Sequence, residues 1–347
     1  MTALPPEAYA AALASHEGVG PATLRRLLAS DRPEVAWSRS GYAGDVRAIW
    51  LRHMDAGITV LTADSPGYPA RLVGDPESPP VLFCRGSSGV VSKHPTVALV
   101  GTRSPTRYGI GVAAQFGADL AALGVSVVSG LALGIDGAAH EGACASGAPP
   151  VAVVAGGLDD PYPRRHARLW DRIVEQGVVF SENPAGVRTE KWRFPKRNHL
   201  LAALSDVVVV IESRHGGGAM HTVSAALERG TPVGAVPGSI RSPASEGTNA
   251  LLFDGCFPVR DVADIVAALS LCGIVLPTSV ARCSTVDPPP EVVGPDADVL
   301  DALSYDPSSL DQLARVTDME LSALCGALER LASVGMASQD GGWWFRI

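Results

Sequence analysis

From Thr96 the chain alternates short, mainly apolar runs with longer stretches of helical spacing. The apolar runs fall at 96–100, 125–129, 150–155, 178–180, 206–211 and 232–236, and the helical stretches near 108–123, 136–147, 164–176, 195–205 and 219–229. Strands that are continuously apolar rather than alternating belong to a sheet covered on both faces. Their alternation with helices predicts parallel βαβ crossovers. The expected fold is α/β, a Rossmann-like, doubly wound parallel sheet. In such sheets ligands bind beyond the carboxyl ends of the strands, where the strand order reverses.

The flanks follow other patterns. Residues 1–64 read as a small helical unit. Glu17-Gly18-Val19-Gly20-Pro21 followed by Ala22 to Leu28 has the form of a helix-hairpin-helix turn, or of a plain helix–helix turn. Residues 65–95, rich in Pro and Gly, read as a connector with one strand at Val81-Leu82-Phe83. The Rossmann-like unit is assigned to 65–272 and a Pro-rich linker holding Pro288-Pro289-Pro290 to 273–295. Residues 296–347 have the outline of a winged helix. Helices are expected at 296–303, 308–315 and 319–333, the last capped by Thr317-Asp318. A hairpin is expected from Met336 to Ile347, turning at Asp340-Gly341-Gly342.

Charge narrows the choice of partners. The 347 residues carry a formal net charge of −8, with 46% hydrophobic and 18% charged residues. Residues 296–347 alone carry a net charge of −6. This opposes duplex binding by the winged helix and favours a protein-contact or regulatory part for it. Against that background, five Lys or Arg and one Glu lie between Arg188 and His199. Cations around an aromatic ring suit a single strand, because cations track the backbone while a ring stacks a base; the same run also reads as a solvated charged loop capping a helix. No run is long enough to span a membrane and no secretory signal is expected. The six cysteines show neither a C-x-x-C pair nor metal spacing, which suggests a cytoplasmic protein without a metal site.

Nearly every strand of the alternating region ends in Gly and Ser: Gly101-Thr102-Arg103-Ser104, Ser129-Gly130, Gly156-Gly157, Ser181, Gly216-Gly217-Gly218 and Gly238-Ser239. Such turns let backbone N–H groups approach a phosphate. A Walker A motif is lacking, and Gly130-Leu131-Ala132 breaks the dinucleotide fingerprint. Asp136 and His140, four residues apart, read as a salt-linked cap, with no nucleophile beside them.

Several motifs in order carry a resemblance. They are Val97-Ala98-Leu99-Val100-Gly101-Thr102-Arg103, Val128 to Asp136 with Ala138-Ala139-His140, Gly157-Leu158-Asp159 with Pro161-Tyr162-Pro163, Ser181-Glu182, Phe194-Pro195-Lys196-Arg197-Asn198, Val236-Pro237-Gly238-Ser239, and Glu246-Gly247-Thr248-Asn249. In these the chain resembles the DprA/Smf family of bacterial DNA-processing proteins. The resemblance implies binding of single-stranded DNA, loading of the RecA recombinase during natural transformation, a homodimer through the Rossmann-like unit, no cofactor and no catalysis. It implies that Arg103 holds a phosphate, that Lys191 and Arg197 line the pocket, that Phe194 meets a base, and that Gly130 and Gly238 allow close backbone approach. Gly101, Ser104, Ser129, Lys196, Asn198 and Ser239 complete the expected nucleic-acid-binding set. The chain departs from the family pattern at Leu133 and His199, where Arg is usual, and across Gly218 to Val223, and lower DNA affinity is expected from the two missing cations. Two other readings stand beside this one. A phosphoribohydrolase-like nucleotide enzyme shares only the glycines of Gly216 to Gly218, and a transcription regulator would have to use the acidic winged helix.

Overall fold

The computed structural model describes residues 3–145, 147–276, 292–304, 307–334 and 336–346. The chain divides into two compact units, Met1–Cys283 and Ser284–Ile347. The Pro-rich stretch around Pro288 lies outside the described residues, as does Cys283.

Four helices open the first unit: α1 (Pro6–Ser15), α2 (Pro21–Ser30), α3 (Pro33–Ser40) and α4 (Val46–Asp55). Strands β1 (Thr59–Thr62), β2 (Val81–Gly86), β3 (Thr96–Val100), β4 (Ser126–Ser129), β5 (Val151–Val154), β6 (Val178–Ser181), β7 (Val207–Val210), β8 (Val233–Ala235) and β9 (Phe257–Pro258) form one sheet in the order β1-β2-β6-β5-β4-β3-β7-β8-β9. The pairs from β6 through β9 are all parallel, and β3 and β7 match Val97–Val100 with Val207–Val210. Helices α5 (Val90–Lys93), α6 (Arg107–Ala122), α7 (Ile135–Ala143), α8 (Ala167–Gln176), α9 (Arg193–Ala203), α10 (Ala219–Glu228), α11 (Glu246–Phe253) and α12 (Val262–Leu271) complete the unit. Every residue of β3 to β8 is buried, so the apolar runs meet helices on both faces. From β3 the chain winds outward through β4, β5 and β6, then returns to the other side of β3 at β7. The crevice between β3 and β7 is therefore the switch point.

The structure alters the reading of the first 95 residues. β1, from the segment assigned to the helical unit, pairs with β2, from the supposed connector, and β2 pairs with β6, both antiparallel. They extend the sheet at one edge. Helices α1 and α2 share a core with it, since Leu13 and Leu24 cluster with Phe83 and Trp170. The cause is an apolar helix face and a two-stranded edge that would otherwise both remain uncovered.

The second unit contains α13 (Pro295–Ala302), β10 (Ser308–Ser309), α14 (Leu310–Thr317), α15 (Leu321–Ser333), β11 (Ala337–Asp340) and β12 (Trp343–Arg346) around a core that includes Val299, Leu324, Leu328 and Trp344. The helix expected at 308–315 begins later. Ser308–Ser309 pair with β12, and Ser309 caps α14 in a reciprocal box with Gln312. Thr317 and Asp318 do not cap α15. The Thr317 hydroxyl donates back to Leu313 O, and Asp318 takes a left-handed conformation that ends α14.

Candidate nucleic-acid interface

The loops after β3, β4 and β7 and the first turns of α9 enclose a cleft of about 480 Å³ at the switch point. Its walls include Gly101, Arg103, Asp136, Lys191, Phe194, Arg197, Asn198, Arg214, Gly218 and His221. The loop after β3 is held from behind by Glu212, which is 2% exposed. Its carboxylate accepts from the Thr106 N–H at 2.8 Å and the Thr106 hydroxyl at 2.5 Å, and its carbonyl accepts from the Thr102 N–H at 2.7 Å. Gly101 has no room for a Cβ, which would meet Ile135 Cγ1 at 2.6 Å and Glu212 O at 2.8 Å. The loop thus sits flat on the sheet end and sends Arg103 outward. The Arg103 guanidinium lies 4.1 Å from the centroid of the Phe194 ring.

Arg197 projects from α9 beneath this pair and is 6% exposed. It donates to Val153 O, while its Nε has no hydrogen-bond partner. Asp136, at the start of α7, supplies the opposing charge. Burial pulls Arg197 down to about 10, leaving it cationic at neutral pH, and burial raises Asp136 above the ordinary carboxylate range while Arg197 opposes that rise. A buried cation with an open N–H, a second cation on an aromatic ring and an exposed Lys191 share one crevice.

The expected set divides. Gly101, Arg103, Lys191, Phe194, Arg197 and Asn198 meet in the cleft. Asn198 is pinned there, since its amide donates to Gly218 O at 3.2 Å and ties α9 to the start of α10. Ser129 is fully buried, its hydroxyl donating to Leu99 O at 2.6 Å. Gly130 leaves room for a side chain of the chain itself, because a Cβ there would overlap the Arg197 guanidinium; at Gly238 the space is taken by Ser245. Ser104 and Ser239 stay outside the cleft, and the Ser239 hydroxyl accepts from the Arg241 N–H at 3.2 Å. Lys196 faces the opposite flank of α9, with its ammonium 4.8 Å from the Trp192 ring. There a second cleft of about 550 Å³ runs to the Gly18–Gly20 turn. His199 also points away from the switch-point cleft, with Nδ1 2.6 Å from Glu77 Oε2. Only Leu133, of the two departures from Arg, stands near the ring of Phe194.

Asp136 and His140 are not linked. His140 Nε2 lies 3.1 Å from Val151 O, and burial lowers the imidazole to about 4, so it is neutral. Sequence reasoning also missed Glu212, Arg214 and the contact of Tyr162 with Phe194, their ring centroids 6.3 Å apart. Glu212 had a signal: it is the first polar residue after an unbroken apolar strand. Arg214 had none, being one cation in a glycine-rich loop.

Fold and cleft define a Rossmann-like protein that presents cations and an aromatic ring at a sheet switch point, joined to a winged-helix unit. Residues 59–270 match the family described as DNA recombination-mediator protein A, and residues 284–331 match the DprA winged helix domain. The chain belongs to the DprA/Smf family. It is 39% identical to a DNA processing protein DprA of Mycobacterium tuberculosis over 80% of this chain and 71% of that one. Its fold matches the X-ray structure of DNA processing protein A from Streptococcus pneumoniae with a TM-score of 0.65, at 29% identity, over 77% of this chain and 98% of that one. It also matches DNA processing protein A from Helicobacter pylori, a structure described for its single-stranded DNA binding mode. There the TM-score is 0.54 at 27% identity, over 62% of this chain and 96% of that one. Among the described residues no helix is long and apolar enough to cross a membrane.

Proposed function

We propose that this chain binds single-stranded DNA in the switch-point cleft, without base specificity and without a catalytic step, and hands the strand to the RecA recombinase in transformation or recombination. The observation that carries this reading is the Arg103–Phe194–Arg197 stack with Lys191 at its mouth. A ring that takes any base and cations that take its phosphates form a sequence-tolerant platform. A non-catalytic role is supported by the hydroxyls of Ser129 and Ser181, which are buried and donate to Leu99 O and Gly156 O, and by the neutral, separately bonded His140. The single-stranded DNA binding mode described for the Helicobacter pylori relative supports the same ligand. We further propose a homodimer through the Rossmann-like unit in a cytoplasmic setting.

The test is fluorescence anisotropy of the full chain with a labelled single strand and the matching duplex at two salt concentrations. Preference for the single strand, weakened by salt, is expected. Phe194→Ala should cost about 1–3 kcal/mol of that affinity. Equal affinity of wild type and F194A would remove the ring from the site and the reading with it.

A further inference from the structure

A strand longer than the cleft must leave it, and two routes start beside Phe194. One crosses the N-terminal end of α9 past Trp192 to the second cleft. The other passes Tyr162 onto the turn Arg164–His166 that precedes α8. The first is internally occupied. The Trp192 N–H donates to Glu190 at 2.7 Å, Arg193 and Lys196 lie on its ring at 4.2 and 4.8 Å, and Arg193 donates to Asn183 at 2.6 Å. Glu17 and Glu182 line the cleft beyond.

The second exit is open. Tyr162 is 49% exposed and its ring is a neighbour of Phe194. Arg164, Arg165 and Arg168 are exposed, and their side chains make no ion pair or hydrogen bond among the described residues. Arg164 lies two residues from Tyr162, so their Cα atoms are at most about 7 Å apart. The turn is docked, not loose. His166 Nδ1 lies 3.1 Å from Leu131 O, and the His166 ring fills the space that a Cβ on Gly137 would need. Leu131 itself is a buried non-glycine residue at φ 53°, a conformation that persists only where its surroundings hold it.

The charges here run against local preference. α8 has no acidic residue in its first turn, whereas Arg168 lies in that turn and Arg164 and Arg165 just precede it. Cations at a helix N-terminus oppose its dipole, and Arg168 stands four residues from Arg172 on the same face, a like-charge spacing that destabilises a helix. Arg172 is relieved by Glu141 at 2.5 Å, and nearby Asp159 is engaged by Arg52 at 3.1 Å. Arg164, Arg165 and Arg168 have no such relief among the described residues, in a protein of net charge −8.

We infer that Tyr162, Arg164, Arg165 and Arg168 form a second subsite, a ledge on which the same single strand continues after leaving the cleft. Tyr162 stacks the base that follows the one on Phe194, and the three arginines take the succeeding phosphates. This inference rests on the proposed single-strand reading of the cleft.

The test compares two labelled oligothymidylates, of about four and about sixteen nucleotides, across a salt series with the full chain. The triple variant R164Q/R165Q/R168Q should leave the affinity for the short oligomer unchanged. For the long one its salt slope should fall by about 2, at about 0.7 for each phosphate no longer neutralised. Tyr162→Ala should weaken the long oligomer about 5- to 150-fold, the range of one stacked base, and Tyr162→Phe should restore it. Unchanged affinity and slope of the triple variant on the long oligomer would overturn the ledge while leaving the cleft intact. So would a loss on the long oligomer confined to W192A and K196Q, which would route the strand over α9. Failure of the wild type to bind either oligomer would overturn cleft and ledge together.

Discussion

A methyl group on Gly130 would overlap the guanidinium of Arg197, a residue 67 positions later in the chain. Arg197 is where the site and the fold meet. Its charge is buried against Asp136, and removing one member of such a pair costs about 3–5 kcal/mol because the other is left uncompensated. Gly130→Ala tests this without deleting a charge. The added carbon must push the guanidinium from Val153 O, and overpacking of this kind costs about 1–3 kcal/mol. The variant should show a lower denaturation midpoint and weaker single-strand binding together; wild-type values for both would mean that Arg197 has freedom to move. The sequence made the cations and the ring legible, because the run from Lys191 to Asn198 is basic against an acidic background. It could not show which glycines leave room for a ligand. A glycine that makes room for a ligand and one that makes room for a distant side chain read alike until the chain is folded, and Gly130 and Gly238 proved to be of the second kind.

At the scale of elements, what could be read depended on length and burial. The strands from β3 to β8 were legible because burial on both faces leaves them almost wholly apolar, with Thr96, Ser126, Ser129 and Ser181 confined to strand ends. β1 was not, since four residues with a Thr at each end resemble the edge of a helical unit. β10 is shorter still, and its pairing with β12 is a long-range contact that no local pattern announces. α11 raises a separate question. Its last residue, Phe253, is 92% exposed, as is Ile240 in the loop after β8, and both belong to the β8–β9 end of the sheet. The two residues flank opposite ends of α11, and a large apolar side chain as exposed as Phe253 is a candidate point of contact for a partner. The proposed homodimer fits here, with a second copy covering Phe253. Phe253→Asp should then halve the mass measured by light scattering at micromolar concentration, while the exposed position keeps the fold intact. A dimer that survives this change would place the interface elsewhere.

At the scale of the molecule, the acidic excess confines the proposed DNA binding to local cations, and the same folded unit carries two titrating groups of opposite effect, half-buried Glu182 and buried His140. Burial raises Glu182 to about 7, against the nearby cations Lys196 and Arg25, from an ordinary value of 4.5. Between those values the folded chain holds more protons than the unfolded one. Stability from Glu182 is therefore complete below about pH 4.5 and is lost as pH rises through 7. His140 acts in reverse. Burial lowers it from 6.5 to about 4, so the folded chain holds fewer protons between those values, and stability is lost as pH falls through that window. Where the windows overlap the two slopes oppose each other, and above 6.5 Glu182 acts without His140 against it. Glu182→Gln separates them, because glutamine does not ionise and His140 is retained. The variant should match the wild type in denaturant midpoint near pH 4.5 and become progressively more stable than it up to pH 8. Parallel curves for the two proteins across that range would show that Glu182 ionises as freely in the fold as in water. The wall it shares with Lys196 and the Gly18–Gly20 turn would then be wet, whereas a widening gap would establish a dry contact between the N-terminal helices and the sheet.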